Sequence, residues 1–255
     1  VEPVPTSFHL GPLVFHTYGF GLAIAAYVAY RYGIRRIKKT GLDPTNYGWF
    51  AFWMIVCGLV GARIAHVATN WSLYEHNPLR MLAIWQGGLG SFGGIVLAGI
   101  VGFVLARKWW GGDQLLLFAD AVIPSLILAW AIGRVLGPQF MVDGGGHVTH
   151  QWFGLRYAGQ AGKRVPVPLI QGAEDALTWG LLIFIEHKGW ARRGLMTGLG
   201  CLIWGLVRSL DEKLLLGQES HSGSVGVQIA GLVLALIGIV VLWRSRSKTH
   251  SLVGE

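Results

Sequence analysis

Apolar residues along this chain fall in long blocks rather than in the narrow stripes of surface helices. Seven blocks stand out, at about 13–33, 48–69, 89–107, 115–137, 167–187, 194–209 and 224–243. Several approach the ~20 residues that carry an α-helix across a ~30 Å hydrocarbon layer. None shows the strict alternation of a membrane β-barrel. The pattern predicts an all-α integral membrane protein with seven transmembrane helices. One polytopic domain over residues 1–255 accounts for every block, and no internal repeat is evident. The sixth block is short, and Arg208 near its end is placed to snorkel toward the interface.

Composition agrees. Of the 255 residues 53% are hydrophobic and 13% charged, against about 25% charged in ordinary soluble domains. A soluble chain of this length needs far more polar surface. The net charge of +8 does not point to nucleic acid, because the basic residues are sorted by loop. Arg31, Arg35, Arg36, Lys38 and Lys39 follow the first block, and Arg107 and Lys108 follow the third. Lys188, Arg192 and Arg193 follow the fifth; Arg244, Arg246 and Lys248 follow the seventh. The opposite side holds only Arg80, Arg156, Lys163, Arg164 and Lys213. The positive-inside rule then sets the N-terminus outside and the C-terminus in the cytoplasm. It makes 138–166 an external loop and 244–255 a cytoplasmic tail. Residues 1–12, with Pro3, Pro5 and Pro12 and no basic run, read as an ordered arm rather than a signal peptide. Cys57 and Cys201 both sit in apolar blocks, so neither a disulfide framework nor a thiolate metal site is expected. The tryptophans, Trp109, Trp110 and Trp152 among them, read as interfacial anchors.

Three arginines remain inside blocks or at their outer ends: Arg63, Arg134 and Arg208. A cation at membrane depth costs at least about 2.5 kcal/mol and needs a partner or a water-filled cavity. Asp120, Glu174 and Asp175 lie at comparable depth. Arg63 and Asp120 read equally as structural ion-pairing groups and as functional ones. Arg134 points toward function, because it leaves its helix into the Gly-rich run GPQFMVDGGG. A guanidinium beside free backbone donors is a natural phosphate clamp.

Several stretches, in order, resemble the prolipoprotein diacylglyceryl transferase family. FHTYGFGLAIA is similar to that family's His-x-Tyr-Gly opening and supplies His16, Tyr18 and Gly19. GARIAHV resembles its Gly-x-Arg-Ile step at Arg63. WQGGLGSFGGI resembles its glycine-rich third segment and gives Ser91, Gly93 and Gly94. The fourth segment carries Asp120 and Gly133-Arg134, the sixth ends in Arg208, and the seventh opens GSVGVQIAG with Gln228. The resemblance runs over about 13–245 with matching order and orientation.

It implies transfer of diacylglycerol from phosphatidylglycerol to the lipobox cysteine of a prolipoprotein, in the bacterial cytoplasmic membrane and without a cofactor. Arg134, Tyr18 and His16 become the expected catalytic residues. Arg134, Arg63, Arg208, Ser91, Gly93, Gly94 and Gln228 become the expected headgroup-binding ones, with Asp120, Glu174 and Asp175 in support. Gly93 and Gly94 serve equally well as helix-packing residues. His147 and His150 have a metal-like spacing but no third ligand, so no metal is expected.

The chain also departs from the family pattern. Phe92 replaces a histidine, and Pro138-Gln139 stands where an asparagine follows the Gly-Arg step. Ile170 and Gln171 replace a tyrosine and a glutamate, and Cys201 and Gly205 an arginine and a glutamate. His16 and His66 are the nearest alternative bases, and Glu174 or Asp175 can replace the lost glutamate one turn along. Two readings follow: a transferase with a rearranged site, or a silent lipid-binding paralogue serving as accessory subunit of a larger membrane complex. An anionic phospholipid is the expected partner in both.

Overall fold

The computed structural model describes residues 7–10, 13–82, 91–140, 143–212 and 224–250. Seven α-helices occur among them: α1 Thr17–Thr40, α2 Pro44–Thr69, α3 Ser91–Trp109, α4 Asp113–Leu136, α5 Val167–His187, α6 Leu195–Asp211 and α7 Ser224–His250. Stretches of α2, α4 and α7 are long and apolar enough to cross a membrane.

Three boundaries differ from the sequence expectation. Residues 13–16 belong to a hairpin rather than to the first helix: β1 Ser7–Leu10 pairs antiparallel with β2 Leu13–His16, Ser7 opposite His16 and Leu10 opposite Leu13. The β-prone Val14-Phe15 pair suits that extended backbone. At its other end α1 runs on through the basic segment to Thr40, because Lys and Arg are good helix formers. It stops where Gly41 takes φ 76°, a left-handed termination open to glycine. The expected tail is likewise helical to His250, since no Gly or Pro interrupts residues 244–250.

The chain divides into two compact units, Ile34–Phe118 and Val1–Gly33 with Ala119–Glu255. In the first, Asp43 caps α2 by accepting from the Thr45 N–H at 2.8 Å, with Pro44 opening the helix. α2 and α3 pack antiparallel through glycines. A Cβ on Gly93 would strike the Gly61 carbonyl, and one on Gly94 would lie 2.7 Å from the Gly58 carbonyl. Further along, Gly102 admits Met54 and Phe50. Trp110 is 2% exposed and stacks on Phe118 at 3.9 Å, with Phe50 edge-on to both. It is a core residue rather than the anchor expected, because these rings give it a complete apolar enclosure.

In the second unit Ile127, Leu182 and Met196 form a buried centre for α4, α5 and α6. Close approaches at glycine set the helix positions. Gly21 of α1 lies against the Leu136 carbonyl, Gly172 of α5 against Ala131 and Val135, and Gly200 of α6 against Ile123 and Ile127. α6 and α7 run antiparallel with Gly198 and Gly205 facing Gly238 and Gly231. Between α4 and α5, residues 143–166 form an ordered loop. Arg164 exchanges backbone hydrogen bonds with Leu155 at 2.7 and 2.9 Å, and Gln160 holds both polar backbone atoms of Gly145 at 2.9 and 3.0 Å.

Candidate functional site

The close contacts of α1, α4, α5 and α6 gather the polar groups of the second unit in one place. Arg208 is 4% exposed, near the end of α6. Its Nη2 donates to both carboxylate oxygens of Asp175 at 2.9 and 3.0 Å, and to the Gln171 carbonyl at 3.3 Å. Its Nη1 lies 3.2 Å from Oδ2 of Asp211, one helical turn on. That oxygen also accepts from Nε2 of Gln171 at 3.0 Å. Asp175 is 1% exposed. A carboxylate so deeply buried is tolerable only beside a cation, and Arg208 supplies it.

Arg134, at the end of α4, faces the same group. Its charge interacts with Arg208, Asp175, Asp211 and the Tyr18 phenol. Among the described residues its guanidinium has no hydrogen-bond or ion-pair partner; it lies over the Trp130 ring at 5.7 Å. Arg208 sits over Trp204 in the same way at 5.5 Å, and the two indoles meet edge-on at 5.3 Å. The two cations are thus each braced by a tryptophan one turn back, and the tryptophans brace each other. Such contacts hold a guanidinium in place without consuming its N–H donors. Tyr18 packs against Gly137, where a Cβ would fall 3.3 Å from its ring.

Buried donors and acceptors remain open here. Arg208 Nε, Gln171 Oε1, Glu174 Oε2 and Trp130 Nε1 have no hydrogen-bond partner among the described residues. Buried polar atoms are normally satisfied, so a cluster of open ones marks a place for a polar ligand.

The other expected residues make their described contacts outside this cluster. Asp120 accepts from the N–H groups of Gly194 (2.5 Å) and Thr197 (2.8 Å) and from the Thr197 hydroxyl (2.7 Å). It thereby caps the start of α6. Arg63 lies in the other unit, where Nε and Nη2 donate to the Met81 and Arg80 carbonyls at 2.8 and 2.6 Å and Tyr74 lies under its guanidinium. Gly93 and Gly94 are in that unit too, in the α2–α3 contact. His66 ends α2, edge-on to Tyr74. The Gln228 carbonyl accepts from the Ser209 hydroxyl at 3.0 Å, tying α7 to α6. The side chains of His16 and Ser91 lie outside the described residues, as does that of Phe92.

Asp211, Trp130 and Trp204 are the members of the cluster that the sequence reading passed over. Their signal was local: Trp-x-x-x-Arg occurs in both α4 and α6, and Asp211 stands three residues after Arg208. These are the spacings that share a helix face.

An apolar helical protein with two arginines, three carboxyls and open donors in one buried cluster defines a class: an anion site built inside a helix bundle. The sequence profile of the prolipoprotein diacylglyceryl transferase family matches residues 5–244. The chain belongs to that family. It is 40% identical over 242 residues to the phosphatidylglycerol–prolipoprotein diacylglyceryl transferase of Frankia alni, covering 91% of this chain and 63% of that one. The protein of the same name from Mycobacteroides abscessus is 32% identical over 203 residues, 72% of this chain and 58% of that one. The Staphylococcus carnosus protein is 27% identical over 264 residues, covering 96% and 91%. The chain therefore spans less than two thirds of the first two relatives' length.

Proposed function

We propose that this chain transfers the diacylglyceryl group of phosphatidylglycerol to the cysteine thiol of a prolipoprotein, releasing glycerol phosphate. The observation that carries the proposal is the guanidinium of Arg134, braced on Trp130 and unpartnered among the described residues, opposite the buried Arg208. A phosphodiester offers such a pair its charge and two oxygens, and its leaving phosphate gains further charge as the ester bond breaks. Fixed cations at that point stabilise the transition state more than the ground state. Arg134 is the phosphate clamp in this reading, Arg208 the second cation, and Tyr18 a donor to a headgroup oxygen.

The same reading places the chain in a bacterial cytoplasmic membrane as seven spans with the N-terminus outside and the C-terminus in the cytoplasm. Thirteen of 21 basic residues lie in or just beyond the C-terminal parts of odd-numbered helices, which supports that orientation. The relatives' names support the two substrates.

Two experiments test it together. The gene should restore growth to a bacterium depleted of its own transferase, and the purified protein should turn over phosphatidylglycerol with a lipobox peptide. Arg134→Ala should abolish both and lower co-purified phosphatidylglycerol about tenfold or more, since each charge-assisted contact is worth about 1.5–3 kcal/mol. Unchanged lipid content in that variant would sink the site. Lipid retention by the unaltered protein without any turnover would favour the accessory-subunit reading.

A further inference from the structure

The cluster holds three acids against two arginines, and the acids are not equivalent. Asp175 gives both oxygens to Arg208. Asp211 accepts from Gln171 and lies against Arg208. Both therefore act as anions, and their charges offset those of Arg134 and Arg208. Glu174 is the remaining acid. Its carboxyl lies against that of Asp211, while its Oε2 is buried with no partner among the described residues. Two neighbouring carboxyls share one proton, because like charges so close do not both ionise. A carboxylic acid with one oxygen on an anionic partner and the other open can accept a proton at the open end while passing its own to the partner.

The transfer reaction needs such a group. A free cysteine thiol has a pKa near ~8.5 and is largely protonated at neutral pH. Phe92 stands where the resemblance expects a histidine, and phenylalanine accepts no proton. The positions of two other expected polar groups are closed: Cys201 is buried, and any side chain at Gly205 would strike the backbone of α7.

We propose that Glu174, paired with Asp211, carries the proton of the transfer; this rests on the transferase reading above. The lipobox S–H bond breaks and its proton goes to Glu174 Oε2. The sulfur electron pair forms the bond to the glycerol carbon of the diacylglyceryl group. That carbon's bond to the phosphate oxygen breaks, and the electron pair stays on the oxygen, facing Arg134 and Arg208. The carboxyl pair then returns a proton to the departing glycerol phosphate. Nothing is oxidised or reduced. The titratable and charged groups facing the pair are Arg134 on α4, Asp175 on α5 and Arg208 on α6, with Tyr18 on α1 against Arg134.

The test uses the full chain in phosphatidylglycerol vesicles with a lipobox peptide, assayed across pH. Glu174→Gln should lower kcat about 100-fold near pH 7, the usual scale of a positioned base. Its KM for phosphatidylglycerol should stay within about threefold, as an interaction absent from the ground state requires. The deficit should shrink above about pH 8.5, where the peptide thiol ionises unaided. Asp211→Asn should act in the same direction, and the double variant should lose less than the product of the two single losses. Retained co-purified phosphatidylglycerol in Glu174→Gln reports an intact fold. Turnover by the unaltered chain with Glu174→Gln keeping most of its kcat overturns this proposal alone, as does a deficit independent of pH. No turnover by the unaltered chain overturns the transferase reading and this assignment with it.

Discussion

Asp120 illustrates how a carboxylate on one helix caps the start of another. The first turn of α6 has N–H groups that no intrahelical carbonyl can meet, and Gly194, lacking a side chain, cannot cap it. Asp120 reaches across from α4 and accepts three hydrogen bonds from Gly194 and Thr197. Charge-assisted bonds of this kind contribute about 1.5–3 kcal/mol, and a lost N-cap costs about 0.5–2 kcal/mol. Asp120→Ala should therefore destabilise the protein by about 2 kcal/mol or more, read as a lower midpoint in thermal unfolding by circular dichroism; an unchanged midpoint would remove the cap from the account. Tyr157 gives a pH-dependent counterpart in the ordered loop. Its hydroxyl donates to Gln139 Oε1 at 2.7 Å, and burial pushes its pKa up to about 12, the hydrogen bond only partly opposing this. Because the folded pKa exceeds the unfolded value near ~10, the loop's stabilisation is complete below about pH 10 and is lost as pH rises toward 12. Tyr157→Phe should remove one late-titrating component from the tyrosinate absorbance curve. At this scale the arginines were legible because a cation in an apolar block demands explanation. The partners of Asp120 were not, since they lie 74 and 77 residues away in sequence and packing alone brings them near.

Glycine pairs rather than large side chains set the spacing of helices in both units, as expected where helix faces are apolar all round. α6 and α7 show the consequence most clearly. On Gly205 a Cβ would sit 2.7 Å from the Ala235 nitrogen and also meet the Gly231 carbonyl, whereas on Gly226 it would meet nothing within 4 Å. Gly205→Ala should cost about 1–3 kcal/mol through overpacking, while Gly226→Ala should be neutral or stabilising by up to about 1 kcal/mol. Equal unfolding midpoints for the two variants would show that the helices separate at no cost. Block length made all seven helices legible, and the Asp43-Pro44 step signals the start of α2. Facing glycines across α2–α3 and α6–α7 were visible only as composition, because which glycine meets which depends on how the helices pack. The hairpin before α1 was missed because its second strand, Leu13-Val14-Phe15-His16, continues directly into the apolar block that follows.

At the scale of the whole chain, charge sorting is the feature that couples sequence to function. If the basic segment Arg31–Lys39 lies in the cytoplasm, α1 returns Tyr18 to the outer side, and α4 brings Arg134 out beside it. The loop that follows α4 is then outside, with Trp152 89% exposed beside Phe153. Tryptophan and phenylalanine at a loop tip, flanked by Arg156 and Lys163, suit the headgroup layer of a bilayer. In that orientation the arginine pair lies on the side of the membrane where the cysteine of the proposed substrate would emerge. This orientation is tested by single cysteines, with Cys57 and Cys201 replaced, at Lys39 and at Gln151, both exposed. A membrane-impermeant maleimide added to intact cells should label the cysteine at 151 and spare the one at 39 until the membrane is opened. Labelling of 39 with protection of 151 would invert the orientation. It would then put the Arg134–Arg208 pair on the cytoplasmic leaflet, where it could not serve a secreted substrate.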